Sequence, residues 1–284
     1  MKAVVTGAKG MLGQDLCPVF EDAGIFVNSF GSKELDVTNY DETRQIIGEI
    51  SPQIIVNLAA YTNVDKAEED YDNALRVNYE GAKNLAKVSK ETGAILIHAS
   101  TDYVFDGTKN SPYAPSDKTN PINKYGLSKL KGEEAIIENT DKFYIVRTSW
   151  LYGGLNGFSG NHFVKTMLNL KDKDEIKVVN DQTGSPTYTV DLALGMLMLL
   201  SKPFGIYHIT GEGETTWYNF AKEIFDIEKL NVNLKPCTTK DFSRPARRPA
   251  YSVLENSIQT RHWKDALKEY LDYTRSLNKG NEEL

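Results

Sequence analysis

The residues Lys2-Ala-Val-Val-Thr-Gly7-Ala-Lys-Gly10-Met-Leu-Gly13 decide the fold of this chain. A short apolar run leads directly into Gly7, Gly10 and Gly13, and an amphipathic segment follows. This order predicts a buried strand, a tight turn and the start of a helix. The first glycine permits the turn, the second lets backbone N–H groups approach a pyrophosphate, and the third lets helix and strand pack closely. The stretch therefore predicts a binding site for a dinucleotide cofactor.

Strands and helices are predicted to alternate through the first half of the chain. Apolar runs predict buried strands at 3–6, 25–29, 54–58, 95–98 and 143–147, and helical spacing predicts helices at 10–23, 41–50, 66–91 and 123–139. Such alternation is typical of a parallel sheet with helices on both faces. We therefore predict an α/β protein with a doubly wound parallel sheet, the Rossmann fold.

The second half of the chain is less regular. It contains a Gly-rich loop at 153–157, and we predict helices at 160–170, 189–200, 217–228 and 262–276 and a strand at 176–179. We therefore divide the chain into a dinucleotide-binding Rossmann domain, residues 1–150, and a smaller substrate domain, residues 151–284. The second domain is expected to be partly interleaved with the first.

Composition narrows the class of protein. The chain has 284 residues, 40% of them hydrophobic, and a net charge of −6, which disfavours nucleic acid and anionic membranes as partners. Its two cysteines and four histidines are scattered, so no metal site is expected. The start of the chain lacks a signal-peptide pattern, and the apolar stretch 192–200 is far shorter than the roughly 18–20 residues that span a bilayer. We expect a cytoplasmic protein.

The end of the second predicted strand bears on the choice of cofactor. An NAD site usually has Asp or Glu there to hold the ribose 2′-hydroxyl, whereas residues 27–33 read Val-Asn-Ser-Phe-Gly-Ser-Lys. Without a carboxylate a 2′-phosphate is not repelled, and Ser29, Ser32 or Lys33 could bind it. The pattern favours NADPH, with NADH as a second candidate; the alternative is that Lys33 is only a solvated loop charge.

Tyr125 and Lys129 are four residues apart and therefore share one face of the predicted helix 123–139. This spacing alone does not select them, because Tyr79/Lys83 and Tyr218/Lys222 have it too. What distinguishes Tyr125 is the preceding buried run that ends at Ser100 and Thr101. Ligands of parallel α/β sheets bind beyond the carboxyl ends of the strands, so these hydroxyls are expected in the site.

Reduction of a ketone would use these groups. Hydride delivery to the ketone creates an alkoxide that must be protonated, and tyrosine, with an unperturbed pKa of about 10, is a weak acid. The Lys129 ammonium, together with the positive nicotinamide ring of the oxidised cofactor, is expected to lower the pKa of Tyr125 toward neutrality. Lys129 could also hold the ribose hydroxyls. The alternative is that Tyr125 is an ordinary surface residue.

The glycine turn, Asn57-Leu-Ala-Ala60, Thr101 and Tyr125-x-x-x-Lys129 resemble the extended short-chain dehydrogenase/reductases, enzymes of nucleotide sugars. Segments 60–68, 100–105, 147–150, 180–187 and 245–249 resemble, more narrowly, the family of dTDP-4-dehydrorhamnose reductases. The resemblance implies reduction by NAD(P)H of the C4 ketone of dTDP-4-dehydro-L-rhamnose to dTDP-L-rhamnose, which supplies bacterial surface polysaccharides.

The resemblance also implies roles for individual residues. Together with the patterns described above, it gives three groups: Thr101, Tyr125 and Lys129 for catalysis; Gly7, Gly10, Met11, Leu12, Gly13, Ser29, Lys33, Asp36, Val37, Ala59, Ala60, Tyr61, Thr62, Asn78, Tyr125 and Lys129 for the cofactor; and Val64, Ser100, Thr101, Asp102, Tyr103, Tyr125, Trp150, Arg247 and Arg248 for the substrate. Trp150 could offer a flat face to the sugar, and the arginines could bind a diphosphate. A core aromatic and a solvated basic turn are the alternatives.

Some points of the resemblance stay open. Some relatives form dimers through magnesium held by glutamates, but the comparable positions here are Asp15 and Val190, so we expect no metal, and a homodimer remains a candidate. A sugar epimerase or dehydratase could share the fold and regenerate its cofactor in each turnover. A noncatalytic regulatory subunit resembling the β subunit of methionine adenosyltransferase is a further alternative, which the presence of Thr101, Tyr125 and Lys129 disfavours.

Overall fold

The computed structural model describes residues 1–154, 160 and 162–282. Residues 155–157 of the predicted Gly-rich loop and residue 161 of the predicted helix 160–170 lie outside the described residues. The strands are β1 Lys2–Thr6, β2 Phe26–Phe30, β3 Ile54–Asn57, β4 Ile95–Thr101, β5 Phe143–Thr148, β6 Leu151–Tyr152, β7 Ile176–Val179, β8 Thr183–Gly184, β9 Thr187–Tyr188, β10 Gly205–His208, β11 Thr215–Thr216 and β12 Leu234–Cys237. The α-helices are α1 Met11–Asp22, α2 Tyr40–Ile50, α3 Tyr71–Leu75, α4 Gly81–Thr92, α5 Lys124–Asn139, α6 Phe163–Asn169, α7 Thr189–Met198, α8 Trp217–Ile227 and α9 Trp263–Glu282.

Six strands form one parallel sheet in the order β10-β5-β4-β3-β1-β2. The chain moves from β1 outward to β2 and then returns to the other side of β1 to form β3, so the direction of winding reverses between β1 and β3. A crevice at such a reversal, beyond the carboxyl ends of the strands, is the usual ligand site of an open α/β sheet. The predicted doubly wound parallel sheet is confirmed.

Helices cover both faces of this sheet. On one face α1 packs against α7, and their apolar side chains, Leu16, Phe20 and Met196 among them, lie fully buried against the sheet. On the other face α4 packs against α2 and α5, with Leu85 and Ile136 in the core. Continuous burial of the strands, such as β3 with all four residues inaccessible, follows from this two-sided cover.

The second half of the chain supplies both a sheet strand and a separate core. Strand β10, which sequence analysis missed because it is four residues long and pairs with the distant β5, completes the edge of the large sheet. A further cluster joins α6, α8 and α9 through Val164, Phe220, Trp263 and Leu267. Among the described residues no helix is long and apolar enough to cross a membrane.

The predicted single helix at 66–91 is wrong. In its place are a 3₁₀ turn at Lys66–Glu68, helix α3, a π-helical turn at Arg76–Glu80 and helix α4. The π turn is centred on Asn78, whose side chain accepts from the Tyr61 N–H at 2.8 Å and donates to Ser128 Oγ at 2.8 Å. Hydrophobic periodicity does not reveal the π turn, because the chain remains helical there and the apolar positions are shifted by only one residue.

Gly132 provides a test of how α5 packs on this π turn. A Cβ added to Gly132 would lie 2.2 Å from the Asn78 carbonyl oxygen, whereas one added to Gly48, on the exposed side of α2, meets nothing within 4 Å. We expect Gly132→Ala to lower the free energy of unfolding by about 1–3 kcal/mol through overpacking. Gly48→Ala should leave it unchanged or raise it by up to about 1 kcal/mol through helix propensity. Urea unfolding of both variants measures the difference; equal stability would contradict the close packing.

Candidate active site

One cavity of about 880 Å³ opens at the carboxyl ends of β1, β3, β4 and β5. It brings together nineteen of the predicted site residues: Gly7, Gly10, Met11, Leu12, Gly13, Asp36, Val37, Ala59, Ala60, Tyr61, Thr62, Val64, Ser100, Thr101, Asp102, Tyr103, Tyr125, Lys129 and Trp150. Their functional roles stay predictions, but the predicted cofactor turn and the predicted catalytic group share one cavity. This cavity is the candidate active site.

The glycine turn lies at the reversal of the sheet. Gly7 has a φ of +66°, and a Cβ there would lie 2.6 Å from the backbone of Leu58 and Ala59, which follow β3. A Cβ on Gly13 would lie 2.4 Å from the Ala8 carbonyl oxygen. Helix α1 begins after Gly10, which has no side chain to cap the first N–H groups. These donors and the positive end of the helix dipole remain suited to a pyrophosphate.

The loop after β2 departs from the sequence interpretation. Ser29 and Lys33 are exposed and do not line the cavity, whereas Lys9 and Ser32 do. A carboxylate is also present, since Glu34 accepts from the Gly31 N–H at 2.6 Å and pairs with the Lys9 ammonium, a partner that lowers the pKa of Glu34. Residues 27–33 hold no carboxylate, as the sequence indicated, but the loop after them folds back so that Glu34, which does not line the cavity, reaches the Gly31 N–H.

Tyr125 lies in the first turn of helix α5, and the start of this helix is fixed by several contacts. The Asn123 side chain caps the helix by accepting from the Gly126 N–H at 2.7 Å, and it donates to the Arg247 carbonyl at 2.8 Å. Gly126 permits close contact, since a Cβ there would lie 2.1 Å from the Tyr103 carbonyl oxygen. The rings of Tyr103 and Tyr125 meet edge to face, with centroids 6.0 Å apart.

The environment of Tyr125 keeps its phenol protonated. Burial raises the pKa of Tyr125 to about 12, while a hydrogen bond with Thr101 acts in the opposite direction. Lys129 is not among the groups that shift it, so the expectation that this lysine lowers the pKa of Tyr125 is not met in the protein alone. The reason is that the end of the Lys129 side chain turns to β4, where Nζ donates to the Ala99 carbonyl at 2.6 Å.

Lys129 is buried, with 2% of its surface exposed. Desolvation lowers the pKa of Lys129 to about 8, against a smaller raising effect of Glu133 one turn further along α5. Besides Ala99, its nearest polar contact is His98 Nε2 at 3.2 Å. Lys129 is therefore a group that can change protonation near neutral pH.

A buried ion pair lies directly behind this group. Arg147 of β5 makes a two-pronged contact with Glu133, with Nη2 donating to Oε2 at 2.7 Å and Nε to Oε1 at 3.0 Å. The Ser100 hydroxyl donates to Glu133 Oε1 at 2.5 Å. Ser100, predicted to bind substrate, thus lines the cavity while its hydroxyl is directed to this carboxylate. Its hydrogen bond fixes the end of β4 to α5.

Two buried polar atoms in the cavity have no hydrogen-bond partner in the described part of the chain. They are Asp102 Oδ2 and Thr148 Oγ1. Asp102 Oδ1 accepts from the Thr101 hydroxyl at 3.1 Å, and burial raises the pKa of Asp102 to about 7. Because an unpaired buried polar atom costs roughly 1–3 kcal/mol, these two atoms are suited to contact a polar ligand.

Trp150 stands at the far end of the cavity in a strained backbone conformation, with a φ of +48°. One face of its indole stacks on Trp217 of α8, with ring centroids 3.5 Å apart and planes at 8°. A Cβ on Gly184 would lie 2.5 Å from the same indole. Trp150 is therefore held by the second half of the chain, and its flat face is shared with Trp217.

Three other predicted ligands lie outside the cavity lining. Arg248 pairs with Asp65, with Nη2 2.8 Å from Oδ2, and the side chain of Arg247 is exposed. Asn78 is buried and holds Tyr61, which does line the cavity. Roles for Arg247, Arg248 and Asn78 stay predictions, and any contact of Arg248 with a diphosphate would compete with Asp65.

Sequence analysis missed several lining residues. Lys9, Thr148, Ser149, Leu151 and Trp217 line the cavity without having been selected. Thr148 and Ser149 follow the buried strand β5 just as Ser100 and Thr101 end β4, so the same rule could have found them. No local pattern marks Trp217, because helix α8 reaches the cavity only through tertiary packing.

The residues described provide no evident metal centre: no group of three or more His, Cys, Asp or Glu side chains comes together among them. Asp15, the position considered for a metal contact, is buried, and its Oδ2 accepts from the Gly154 N–H at 2.7 Å and from the Thr189 hydroxyl. This carboxylate ties α1 to the start of α7.

A doubly wound sheet with a Tyr125–Lys129 helix beside its glycine turn places the chain among the extended short-chain dehydrogenase/reductases. The sequence model of the RmlD substrate binding domain family matches residues 1–276, and the chain belongs to this family. The spore coat polysaccharide biosynthesis protein SpsK of Bacillus subtilis is 43% identical over 277 residues, which are 95% of this chain and 96% of SpsK.

Two solved structures are similar over nearly the whole chain. A dTDP-4-dehydrorhamnose reductase from Clostridium acetobutylicum is 44% identical, with 97% of this chain and 100% of that chain covered and a TM-score of 0.93. A dTDP-4-dehydrorhamnose reductase from Bacillus anthracis, solved in complex with NADP, is 40% identical, with 95% and 98% covered and a TM-score of 0.91.

Proposed function

We propose that this chain reduces the C4 ketone of dTDP-4-dehydro-L-rhamnose to give dTDP-L-rhamnose, with NADPH as the reductant. The observation that carries the proposal is that Tyr125, Thr101 and Lys129 line the same cavity as the Gly7 turn. The identity of 40–44% to structures named dTDP-4-dehydrorhamnose reductase supports the substrate. The name of SpsK supports a place in polysaccharide synthesis.

The cofactor fits the residues at one end of the cavity. The N–H groups in the first turn of α1, which no side chain caps, would bind the pyrophosphate, and Asp36 and Val37 would border the adenine. Lys129 would reach the nicotinamide ribose. When bound, the reduced nicotinamide supplies the hydride for C4 of the sugar.

Tyr125 would supply the proton that the reduction needs. The C4 carbonyl oxygen gains negative charge as hydride is added to the carbon, and the phenol O–H gives it a proton, so that an alcohol and a phenolate result. A pKa of about 12 keeps Tyr125 protonated at neutral pH, and an alkoxide is still a much stronger base than a phenolate. Thr101 lies beside Tyr125, and its hydroxyl would stabilise the charge on this oxygen by turning its one proton from Asp102 Oδ1 to the substrate.

The sugar would occupy the space between the catalytic group and the stacked indoles of Trp150 and Trp217. Apart from the two faces stacked on each other, these indoles offer apolar surface that suits the C–H side of a deoxysugar, and Asp102 and Thr148 offer the unpaired polar atoms for its hydroxyls. We assign nucleotide-sugar binding to residues 151–284 together with the strand ends of residues 1–150. Of the two indoles, Trp150 is the last residue of the first part and Trp217 belongs to the second.

We place the reaction in the cytoplasm. An acidic chain in which Cys17 and Cys237 are free thiols is suited to a reducing compartment.

The decisive experiment follows reduced-nicotinamide absorbance with purified protein and dTDP- or UDP-linked 4-keto-6-deoxysugars. We expect one NADPH to be consumed for each dTDP-L-rhamnose formed. Product without net NADPH oxidation would instead indicate an epimerase or dehydratase. No turnover with any of these sugars would support a noncatalytic role.

Replacement of Tyr125 and Lys129 should separate proton donation from cofactor binding. Tyr125→Phe is expected to lower kcat by about 100-fold or more while the Kd for NADPH stays within about twofold, because only the proton donor is lost. Lys129→Met should weaken NADPH binding as well as kcat. Steady-state kinetics and NADPH fluorescence titration measure both effects, and a Tyr125→Phe enzyme of wild-type activity would exclude this acid.

Lys9 and Lys33 provide a matched pair for the 2′-phosphate. Lys9 lines the cavity beside Gly31, whereas Lys33 is exposed outside it. We expect Lys9→Met to weaken NADPH about tenfold, which is about 1.4 kcal/mol, and to leave NADH affinity nearly unchanged. Lys33→Met should alter neither affinity. If only Lys33→Met lost NADPH affinity, Lys33 and not Lys9 would bind the 2′-phosphate, as the sequence suggested.

A further inference from the structure

A chain of buried hydrogen bonds leads from β1 through β3 and β4 to Lys129. Its central residue is Asn57, the last residue of β3, which is 1% exposed. The backbone N–H of Ala59 donates to Asn57 Oδ1 at 3.1 Å, and the Thr6 hydroxyl lies 2.8 Å from the same oxygen. A backbone N–H can only donate, so the atom facing Ala59 is the amide oxygen. The orientation of the Asn57 amide is therefore fixed by the main chain.

This orientation also fixes the tautomer of His98. With its oxygen turned to Ala59, Asn57 presents its NH₂ group to His98 Nδ1 at 2.9 Å. His98 is completely buried, and burial and the nearby Lys129 lower its pKa well below the usual value, so the ring is neutral. A neutral imidazole has one donor and one acceptor nitrogen. Because Nδ1 accepts from Asn57, the proton of His98 is on Nε2.

The Nε2–H group then meets Lys129. Nζ of Lys129 lies 3.2 Å from His98 Nε2 and donates to the Ala99 carbonyl at 2.6 Å. An ammonium has donors only, so a charged Lys129 would place its N–H against the His98 Nε2–H. A neutral amine instead has a lone pair that accepts the Nε2–H. The contact with Ala99 is available to either form.

The other charged groups around Lys129 do not remove this constraint. Glu133 favours the ammonium from its own helix, but Arg147 of β5 already holds this carboxylate in a two-pronged ion pair. From the end of β4, Asp102 faces the same cavity, and burial keeps its pKa near neutrality. Tyr125 is uncharged. The nearest atom that discriminates between amine and ammonium is His98 Nε2.

We propose that Asn57 and His98 are positioning residues that set the protonation of Lys129, because their hydrogen bonds favour its neutral amine over its ammonium in the protein without bound nucleotide. Above the pKa of Lys129 in the free protein, binding of the anionic cofactor is then accompanied by uptake of a proton, so that cofactor affinity depends on pH. This inference deepens the proposed function, because it rests on the assignment of Lys129 to the cofactor.

The tautomer of His98 tests the network without any need for turnover. The chain has four histidines, so a ¹⁵N-histidine spectrum can be assigned by comparison with His98→Phe. We expect the proton on Nε2 from about pH 6 to about pH 8. In Asn57→Asp a carboxylate would accept from His98 Nδ1–H, and the proton should move to Nδ1. A wild-type ring that is charged or protonated on Nδ1 overturns the proposal.

The pH dependence of NADPH affinity tests the consequence for Lys129. In wild type the affinity should fall as the pH rises above the pKa of Lys129. In Asn57→Asp, His98 Nε2 becomes an acceptor for the ammonium, and the alkaline midpoint should rise by about one pH unit or more. The matched control makes Asn57→Asp in a His98→Phe background. There the substitution adds the same carboxylate charge, but the hydrogen-bond path through His98 to Lys129 is lost. The shift of the midpoint should therefore fall by about half or more.

An unchanged midpoint in Asn57→Asp overturns the proposal. An equal shift in both backgrounds overturns it too, because the added charge alone would then explain the shift without His98. Failure of the proposed function is distinguishable from this result. In that case NADPH would not bind at any pH, while the ¹⁵N spectrum would still report the Nε2 tautomer of His98.

Discussion

The candidate active site depends on the buried ion pair between Glu133 and Arg147. Glu133 belongs to α5 and Arg147 to β5, and both are almost inaccessible to solvent. The Ser100 hydroxyl at the end of β4 donates to the same carboxylate. The contact thus fixes one helix against two neighbouring strands. Loss of one partner of a buried ion pair costs about 3–5 kcal/mol. A shift of the helix that carries Tyr125 and Lys129 along the sheet would separate this pair and is therefore strongly disfavoured.

Close backbone contacts at glycines complete this alignment. Gly126 and Gly132 let α5 approach the carbonyl groups of Tyr103 and Asn78, and Gly7 lets β1 turn against the residues after β3. In each place a side chain would collide with main chain, which moves less readily than the end of a flexible side chain. The glycine turn and helix α5 are therefore set relative to each other by main-chain packing.

Burial gives the site a common electrostatic character. It raises the pKa of Tyr125 to about 12 and of Asp102 to about 7, and it lowers the pKa of Lys129 to about 8. All three shifts favour the uncharged form, as expected where water is largely excluded. A charged ligand that binds here would change the electrostatic potential of the site. Lys129 and Asp102, whose pKa values lie near neutrality, could then gain or lose a proton.

The sequence by itself determined the doubly wound sheet, the glycine turn and the group Thr101, Tyr125 and Lys129. These features depend on local patterns: apolar runs, glycine spacing, and the rule that ligands bind beyond the carboxyl ends of parallel strands. The tertiary structure alone decided that Lys9 pairs with Glu34 and that Trp217 lines the site, because these contacts depend on a folded-back loop and on a helix far away in sequence. It also decided the protonation preferences, since desolvation and the direction of the Asn57–His98–Lys129 hydrogen bonds exist only once the strands are assembled.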